Sequence, residues 1–357
     1  MAEFARYSHD ALLTFTASLF TSAGASSATA ALMAESIVAA GLRGVDSHAF
    51  QLLPFYLAQC LDRRVDAAGE GKVASESGAT LVYDGCNALG QIVSDRATSH
   101  AVRLAQEHGL GLVVAHDSNH FGAAAFWAER ISRHGMIGIV LCNASSIVAP
   151  WQSRKPVWGT NPICVSVPGD PAANWLLDMA TTTVAMGKIY RAAFEKKPNI
   201  PAGWAMDASG APTTSTDAAL KGGMLMPLGG YKGSGLAMMV EILCGVLSGG
   251  AIGTELGGLR VGERPFRVSQ FFLAIDIVRF VPLDFFRARL GELIAMVKEG
   301  PAAPGCEDVL VAGDPEWRTE ADRRKHGIPI SAPLWTELAA LAGRLGVVLP
   351  GALPPLS

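Results

Sequence analysis

Between residues 9 and 41 the apolar positions recur at helical spacing, with Leu12, Leu13, Phe15, Leu19 and Phe20 on one face of a first run and Leu32, Ile37 and Val38 on a second. Ser26, Ser27 and Thr29 stand where the runs meet and are candidate caps, so two helices with a break between them are predicted. Residues 46–61 predict a turn feeding a third helix. From Thr80 the period changes. Short β-branched or aliphatic runs at 80–83, 112–114, 137–141, 163–167 and 271–275 predict strands, and helical stretches are predicted over 92–108 and 122–134. Residues 283–297 return to a helical pattern, and a last helix is predicted over 332–345. Between them, Pro301, Pro304, Pro315 and Pro329 predict a loop-rich tail. The pattern is that of an α/β (α+β) protein. Its helical flanks, 1–78 and 283–357, are expected to form one discontinuous domain beside an α/β domain of residues 79–282.

Composition adds to this picture mainly by exclusion. Of the 357 residues 50% are apolar and 17% charged, against about 25% charged in an average soluble protein. Such a chain buries a large core, which excludes disorder as a description of the whole. The net charge of −3 offers no footprint for a nucleic-acid backbone. A mean hydropathy of +0.28 with so few charges points to apolar surface shared between subunits, and a homodimer is expected. Cys60, Cys86, Cys142, Cys164, Cys244 and Cys306 are widely spaced, with no CxxC pair, and read as reduced core residues. The first residues are too polar for a signal peptide. Residues 233–253, the most membrane-like stretch, carry Glu241 near the centre and read as a buried helix. A cytoplasmic protein without membrane or nucleic-acid partners is expected.

Familiar nucleotide motifs are missing. No GxGxxG follows a strand, and Gly187-Lys188 is not preceded by a P-loop, so a Rossmann fold and a P-loop NTPase are both disfavoured. His116 and His120 stand four apart, as two zinc ligands on a helix would, but no Glu follows the first of them to act as base. No metal is expected.

Three clusters remain. The first is Gly44-Val45-Asp46-Ser47-His48. The second is Ser118-Asn119-His120-Phe121-Gly122, followed by Gly159-Thr160-Asn161-Pro162. The third combines Leu177-Asp178-Met179-Ala180, Gly187-Lys188 and Pro227-Leu228-Gly229-Gly230-Tyr231-Lys232-Gly233. Together they place two histidines, carboxylates and two lysines on glycine-rich turns, the material for acid–base chemistry and for anion binding by backbone N–H groups.

In this order, over residues 10 to 345, the motifs resemble the malate/L-lactate dehydrogenase family of non-Rossmann NAD(P)-dependent oxidoreductases. That family takes in ureidoglycolate and sulfolactate dehydrogenases and piperideine-2-carboxylate reductase. The resemblance implies a mixed or antiparallel sheet in the cofactor domain and NADPH or NADH as cofactor. His48 is implied as proton donor at the reacting carbon, with His120 also at the site as acid, base or cofactor contact. Asp178, Met179 and Ala180 are implied beside the nicotinamide, and Lys188, Lys232, Gly233 and Gly313 at other parts of the cofactor. Tyr56 and Thr160 are implied in the substrate pocket. An imidazole, with an unperturbed pKa of about 6.5, gives and recovers a proton near neutral pH, and Ser47 and Asp46 are candidates to set the tautomer of His48.

The chain departs from the family after that histidine. The family pattern G-x-x-R-L-P-R-Y reads here as Ala49-Phe50-Gln51-Leu52-Leu53-Pro54-Phe55-Tyr56. Leu52 takes the place of an arginine that grips the substrate carboxylate in relatives, Phe55 removes a second arginine, and Ala144 stands where a serine is common. A carboxylate left against leucine costs on the order of several kcal/mol. The expected activity is therefore NAD(P)H-dependent reduction of a C=N or C=O bond in a small molecule bulkier or less anionic than lactate or malate, such as a cyclic imine or ketone. One alternative is a 2-hydroxy-acid dehydrogenase whose carboxylate anchor has moved to Arg43, Arg154, Lys155 or Arg191. The other is a cofactor-binding homologue without turnover.

Overall fold

The computed structural model describes residues 4–170, 173–258 and 264–354. A short strand β1 (Phe4–Tyr7) leads into helices α1 (His9–Ser22) and α2 (Ser27–Leu42), with the predicted break between them. Each helix is opened by a serine: Ser8 Oγ accepts from the Ala11 N–H at 3.2 Å, and Ser26 Oγ from the Thr29 N–H at 3.1 Å. Two single 3₁₀ turns, Asp46–His48 and Phe50–Leu52, precede α3 (Leu53–Leu61), which has Pro54 in its first turn, where the missing N–H costs nothing.

The middle of the chain builds a mixed sheet. Its elements are β2 (Lys72–Ser77), β3 (Thr80–Asp84), α4 (Gly90–His108), β4 (Leu110–Ser118), α5 (Ala124–Ser132), β5 (Met136–Cys142), β6 (Ile163–Asp170) and β7 (Ala173–Met179). There follow α6 (Met186–Phe194), the short strands β8 (Ala205–Met206) and β9 (Pro212–Thr213), α7 (Thr216–Leu220), β10 (Met224–Leu225) and α8 (Tyr231–Glu241). Next come β11 (Val268–Asp276), α9 (Leu283–Lys298), α10 (Asp314–His326), β12 (Ile328–Ser331) and α11 (Ala332–Leu345). The seven-stranded sheet runs β2-β3-β4-β11-β5-β6-β7. Only β3 and β4 are parallel in it. This is a mixed α/β fold without a Rossmann sheet, as expected.

The late strand β11 enters the middle of that sheet, hydrogen-bonded to β4 and β5. Its run Phe271–Ile275 is continuously apolar because both faces are covered. On one side Phe272 and Ala274 join the α4–α5 core around Trp127. On the other Phe271 meets Val240 of α8 and Cys244 just beyond that helix. A separate core joins α1, α2 and α3 to α11, with β1 and β12 paired beneath it and Tyr7 stacked on Trp335 at 4.0 Å. A smaller cluster gathers Ile189 of α6 with Ala205, Ala219 and Leu225 around the short strands.

Four expectations are corrected. The tail is not all loop: α10 forms inside it, with Gly313 as N-cap at φ +98° and Pro315 in the first turn, so that proline marks a helix start and not a break. Tyr231-Lys232-Gly233 is not a turn but the opening of α8, which continues through a π turn at Ile242–Val246. Nor is that helix buried all round. Glu241 is buried, while Met238, Ile242, Val246 and Leu247 are exposed. No helix among the described residues is long and apolar enough to cross a membrane. The cysteines are free, as expected, but Cys86 and Cys306 are exposed and not core.

Candidate active site

His48 ends the first 3₁₀ turn, and the hydroxyl oxygen of its neighbour Ser47 lies 2.9 Å from the His48 Nδ1. His120 follows the end of β4. Its ring stacks near that of His48, with centroids 5.6 Å apart and planes 23° from parallel. Tyr56 on α3 reaches His120 from below, its hydroxyl 2.5 Å from Nδ1, and the Gly122 N–H donates to the same nitrogen at 3.2 Å. Burial pushes the Tyr56 hydroxyl well above the usual phenol range, so it remains a donor at any working pH. With two donors on Nδ1, the neutral His120 ring carries its proton on Nε2. Phe266 lies parallel to His120 at 6.5 Å and 6°, bounding the site on another side. Sequence reasoning missed Phe266, which belongs to none of the three motif clusters.

The Asp46 carboxylate binds Arg323 on α10 at 2.6 and 3.2 Å, while the Ser47 hydroxyl stands at the His48 Nδ1. Gly187, near the start of α6, approaches the same turn so closely that a Cβ there would lie 2.9 Å from the Ser47 Cβ.

A second group forms where β7 ends. Asp178 accepts from the Ala125 N–H at the start of α5 at 2.9 Å, which anchors the segment running on from His120. Water reaches the residue, yet protein surrounds its carboxyl on most sides. That burial raises its pKa to about 6 against the lowering effect of the Ala125 N–H. Met179 and Ala180 continue from it, and Thr181 then donates through both N–H and hydroxyl to the Thr160 carbonyl at 2.9 and 3.0 Å. Asn161, buried with φ +37°, is held by Glu241 at 3.0 Å, and burial lifts that carboxyl above its usual range. Thus the segment after β7 is hydrogen-bonded to the GTNP loop, which Glu241 holds in turn. Gly233 closes against them. A Cβ there would lie 2.4 Å from the Leu228 nitrogen and 2.6 Å from the Thr181 carbonyl oxygen, so only glycine fits. Gly229 and Gly230, at φ +56° and +66°, turn the chain into α8, and the Lys232 side chain stands exposed in the first turn of that helix.

The remaining candidates are placed differently. Leu52 is 3% exposed and packs in the helical core. Lys188 is exposed on α6. Gly313 caps α10 against β7, where the Leu176 N–H meets the Ala312 carbonyl at 3.3 Å. Of the cations considered as carboxylate anchors, Arg43 is buried between Glu129 (2.6 Å) and Glu320 (3.0 Å), and Arg191 pairs with Glu195 at 2.7 Å. His116 turns away from His120 to Asp117 at 2.9 Å. Asp84, His116 and Asp117 gather within 4.8 Å, with Arg267 at 2.8 Å from Asp117 and Lys72 at 3.8 Å from Asp84 supplying countercharge.

The arrangement sets two neighbouring imidazoles beside the Asp178 strand end, with the exposed Lys188 and Lys232 on the helices that follow, and these residue types fit the nicotinamide and the phosphates of a dinucleotide. Comparison with known proteins agrees. A family profile described as malate/L-lactate dehydrogenase matches residues 7–339. The malate dehydrogenase of Pyrococcus horikoshii is 36% identical over 96% of each chain, and its solved structure superposes with a TM-score of 0.90 over 98% of each. The L-sulfolactate dehydrogenase of Methanothermobacter thermautotrophicus is 36% identical over 89% of this chain and 91% of its own. The structure of Δ1-piperideine-2-carboxylate reductase from Pseudomonas syringae superposes with a TM-score of 0.84 at 30% identity, covering 94% of this chain and 99% of its own. The chain belongs to the malate/L-lactate dehydrogenase family and is an NAD(P)-dependent oxidoreductase.

Proposed function

We propose that the protein reduces a C=N or C=O bond of a small molecule, with His48 as proton donor and a substrate bulkier or less anionic than lactate or malate, such as a cyclic imine or ketone. The observation that carries the substrate reading is the 3₁₀ turn after His48, which bears no cation and whose one exposed side chain is the uncharged Gln51. Leu52 and Phe50 are buried there, and no guanidinium projects from that turn to hold a carboxylate. When bound, NADPH or NADH supplies the hydride. The chain's residues supply the rest. His48 gives the proton that the reduced oxygen or nitrogen requires, and Ser47 Oγ at its Nδ1 orients the ring for that transfer. His120, fixed by Tyr56 and Gly122, presents its Nε2–H as a hydrogen-bond donor toward developing negative charge. Asp178 holds the turn that carries His120 and, through Met179 and Ala180, shapes the nicotinamide side of the site. Lys188, Lys232, Gly233 and Gly313 contact the rest of the cofactor, and Thr160 and Tyr56 line the substrate pocket.

A second reading, a 2-hydroxy-acid dehydrogenase, is favoured by the names of the malate and sulfolactate relatives. It requires an anchor other than Leu52, with the exposed Arg154 and Lys155 as candidates, since Arg43 and Arg191 are engaged in ion pairs. We further propose a cytoplasmic homodimer in which residues 1–78 and 283–357 form one unit and 79–282 the cofactor unit.

The test is consumption of NADPH and NADH across small 2-oxo acids, cyclic imines and ketones, each with and without a carboxylate. Turnover confined to apolar or carboxylate-free substrates is expected. Preference for pyruvate-like acids overturns the substrate reading in favour of the second. Bound cofactor without turnover of any substrate points to a non-catalytic homologue. In the active enzyme His48→Ala is expected to lower turnover roughly 10²–10⁴-fold with cofactor binding near normal. An unchanged rate transfers the proton-donor role to His120.

A further inference from the structure

Helix α10 contains no fully buried residue, yet one of its faces grips the segment that delivers His48. Arg323 lies 12% exposed. It makes a two-pronged contact with Asp46, Nη1 to Oδ1 at 2.6 Å and Nη2 to Oδ2 at 3.2 Å, and also donates to the Gly41 carbonyl at 2.5 Å. One turn earlier, Glu320 accepts from Arg43 Nε at 3.0 Å, and the Arg43 guanidinium lies over the Trp317 ring at 4.4 Å. Between these two contacts Gly44, at φ +76°, is so close to Thr319 that a Cβ would lie 3.0 Å from the threonine methyl. Residues 43–46 are therefore held at both ends and in the middle by Thr319, Glu320 and Arg323.

The segment needs holding. It contains a left-handed glycine, and the 3₁₀ turn Asp46–His48 has no side-chain cap of its own. The same Arg43 binds Glu129 on α5 at 2.6 Å, and the first turn of α5 donates to Asp178. Through α5, Arg43 and the Ala125 N–H thus tie the segment before His48 to the Asp178 strand end.

We infer that the Arg323–Asp46 pair is a positioning device for His48, holding the imidazole at its reacting distance. This inference rests on the reading of His48 as proton donor. A two-pronged guanidinium–carboxylate contact fixes direction as well as distance, which a lysine cannot do. Loss of that control displaces the turn, and a displacement near 1 Å is worth about 10²-fold in rate.

The test compares Asp46→Asn, Arg323→Lys, Arg323→Ala and the double variant Asp46→Asn/Arg323→Ala by kcat, cofactor Kd and Tm, with Arg318→Ala as a surface control on the same helix. The single variants at Asp46 and Arg323 are expected to lose roughly 10–100-fold in kcat while cofactor Kd stays within about twofold. Arg323→Lys is expected not to rescue, and the double variant to be no slower than the slower single one. Folded Asp46→Asn and Arg323→Lys with wild-type kcat overturn the inference, as do losses that multiply in the double variant. Asp46→Asn and Arg323→Lys keep the test decisive if Arg323→Ala does not fold. Should His48→Ala turn over normally, the reading of His48 itself falls. Should it be inactive while the pair's variants are normal, only the positioning role falls.

Discussion

Replacing Gly187 by alanine adds a methyl group 2.9 Å from the Ser47 Cβ and 3.8 Å from its Oγ. Two such carbons rest about 3.5–4.0 Å apart, so α6 or Ser47 must yield by roughly 0.6–1.1 Å. Ser47 cannot yield without carrying its 2.9 Å contact to His48 Nδ1 with it. If the turn moves, the imidazole is misplaced by a comparable distance, worth up to about 10²-fold in rate, or about 2.7 kcal/mol in the barrier. The backbone at Gly187 is ordinary helix, outside the left-handed region, so alanine adds about 0.5–1 kcal/mol of helix propensity that partly offsets the crowding. Activity and stability therefore separate. Steady-state oxidation of NADPH or NADH by Gly187→Ala is expected to show kcat lowered about 10–100-fold, while thermal unfolding shifts by only a few degrees. A folded variant with wild-type kcat would refute the claim that α6 and the His48 turn are in functional contact.

Two further substitutions test the rest of the site. Tyr56→Phe removes the 2.5 Å contact to His120 Nδ1 and leaves the Gly122 N–H in place; a loss of about 1–1.5 kcal/mol in denaturant unfolding and about tenfold in kcat is expected, and unchanged turnover removes Tyr56 from the orientation of His120. Asp178 has a folded pKa of about 6, raised from 3.8, so the folded state holds its proton more tightly than the unfolded chain and loses stability as pH rises through that interval. In thermal melts of the cofactor-free protein, Asp178→Asn should match wild type below about pH 4 and gain on it as the pH approaches 7, modestly because water reaches the residue; a difference independent of pH refutes the shifted carboxyl.

Much of this molecule is local, and what is local can be read along the chain. The apolar stripes of α1 and α2, the serine that separates them and the β-branched runs of β4, β5 and β6 all depend on neighbours a few residues away, and spacing predicts them, whereas the histidine motifs were legible through their resemblance to a family. α10 was invisible to that approach because it presents no apolar stripe. Its anchors are Glu320 and Arg323, whose partners Arg43 and Asp46 lie 277 residues earlier. The glycine-rich start of α8 reads as a turn until the Leu228 backbone and the Thr181 carbonyl are seen to occupy the space where a side chain would stand.

The same distinction governs the site. Sequence named His48, Ser47, His120, Tyr56 and Asp178 as candidates, but nothing along the chain says that Tyr56 points at the Nδ1 of a histidine 64 residues away or that Phe266 lies parallel to that ring. The fate of Leu52 shows the limit most plainly. An arginine-to-leucine change reads in sequence as a lost ligand contact, and the fold adds where the leucine goes: into the helical core, so that position offers a substrate no cation and no surface. Periodicity records which face of an element is apolar. Which apolar face meets which, and therefore which polar groups are brought within bonding distance at the junction, is decided only when the long-range contacts close.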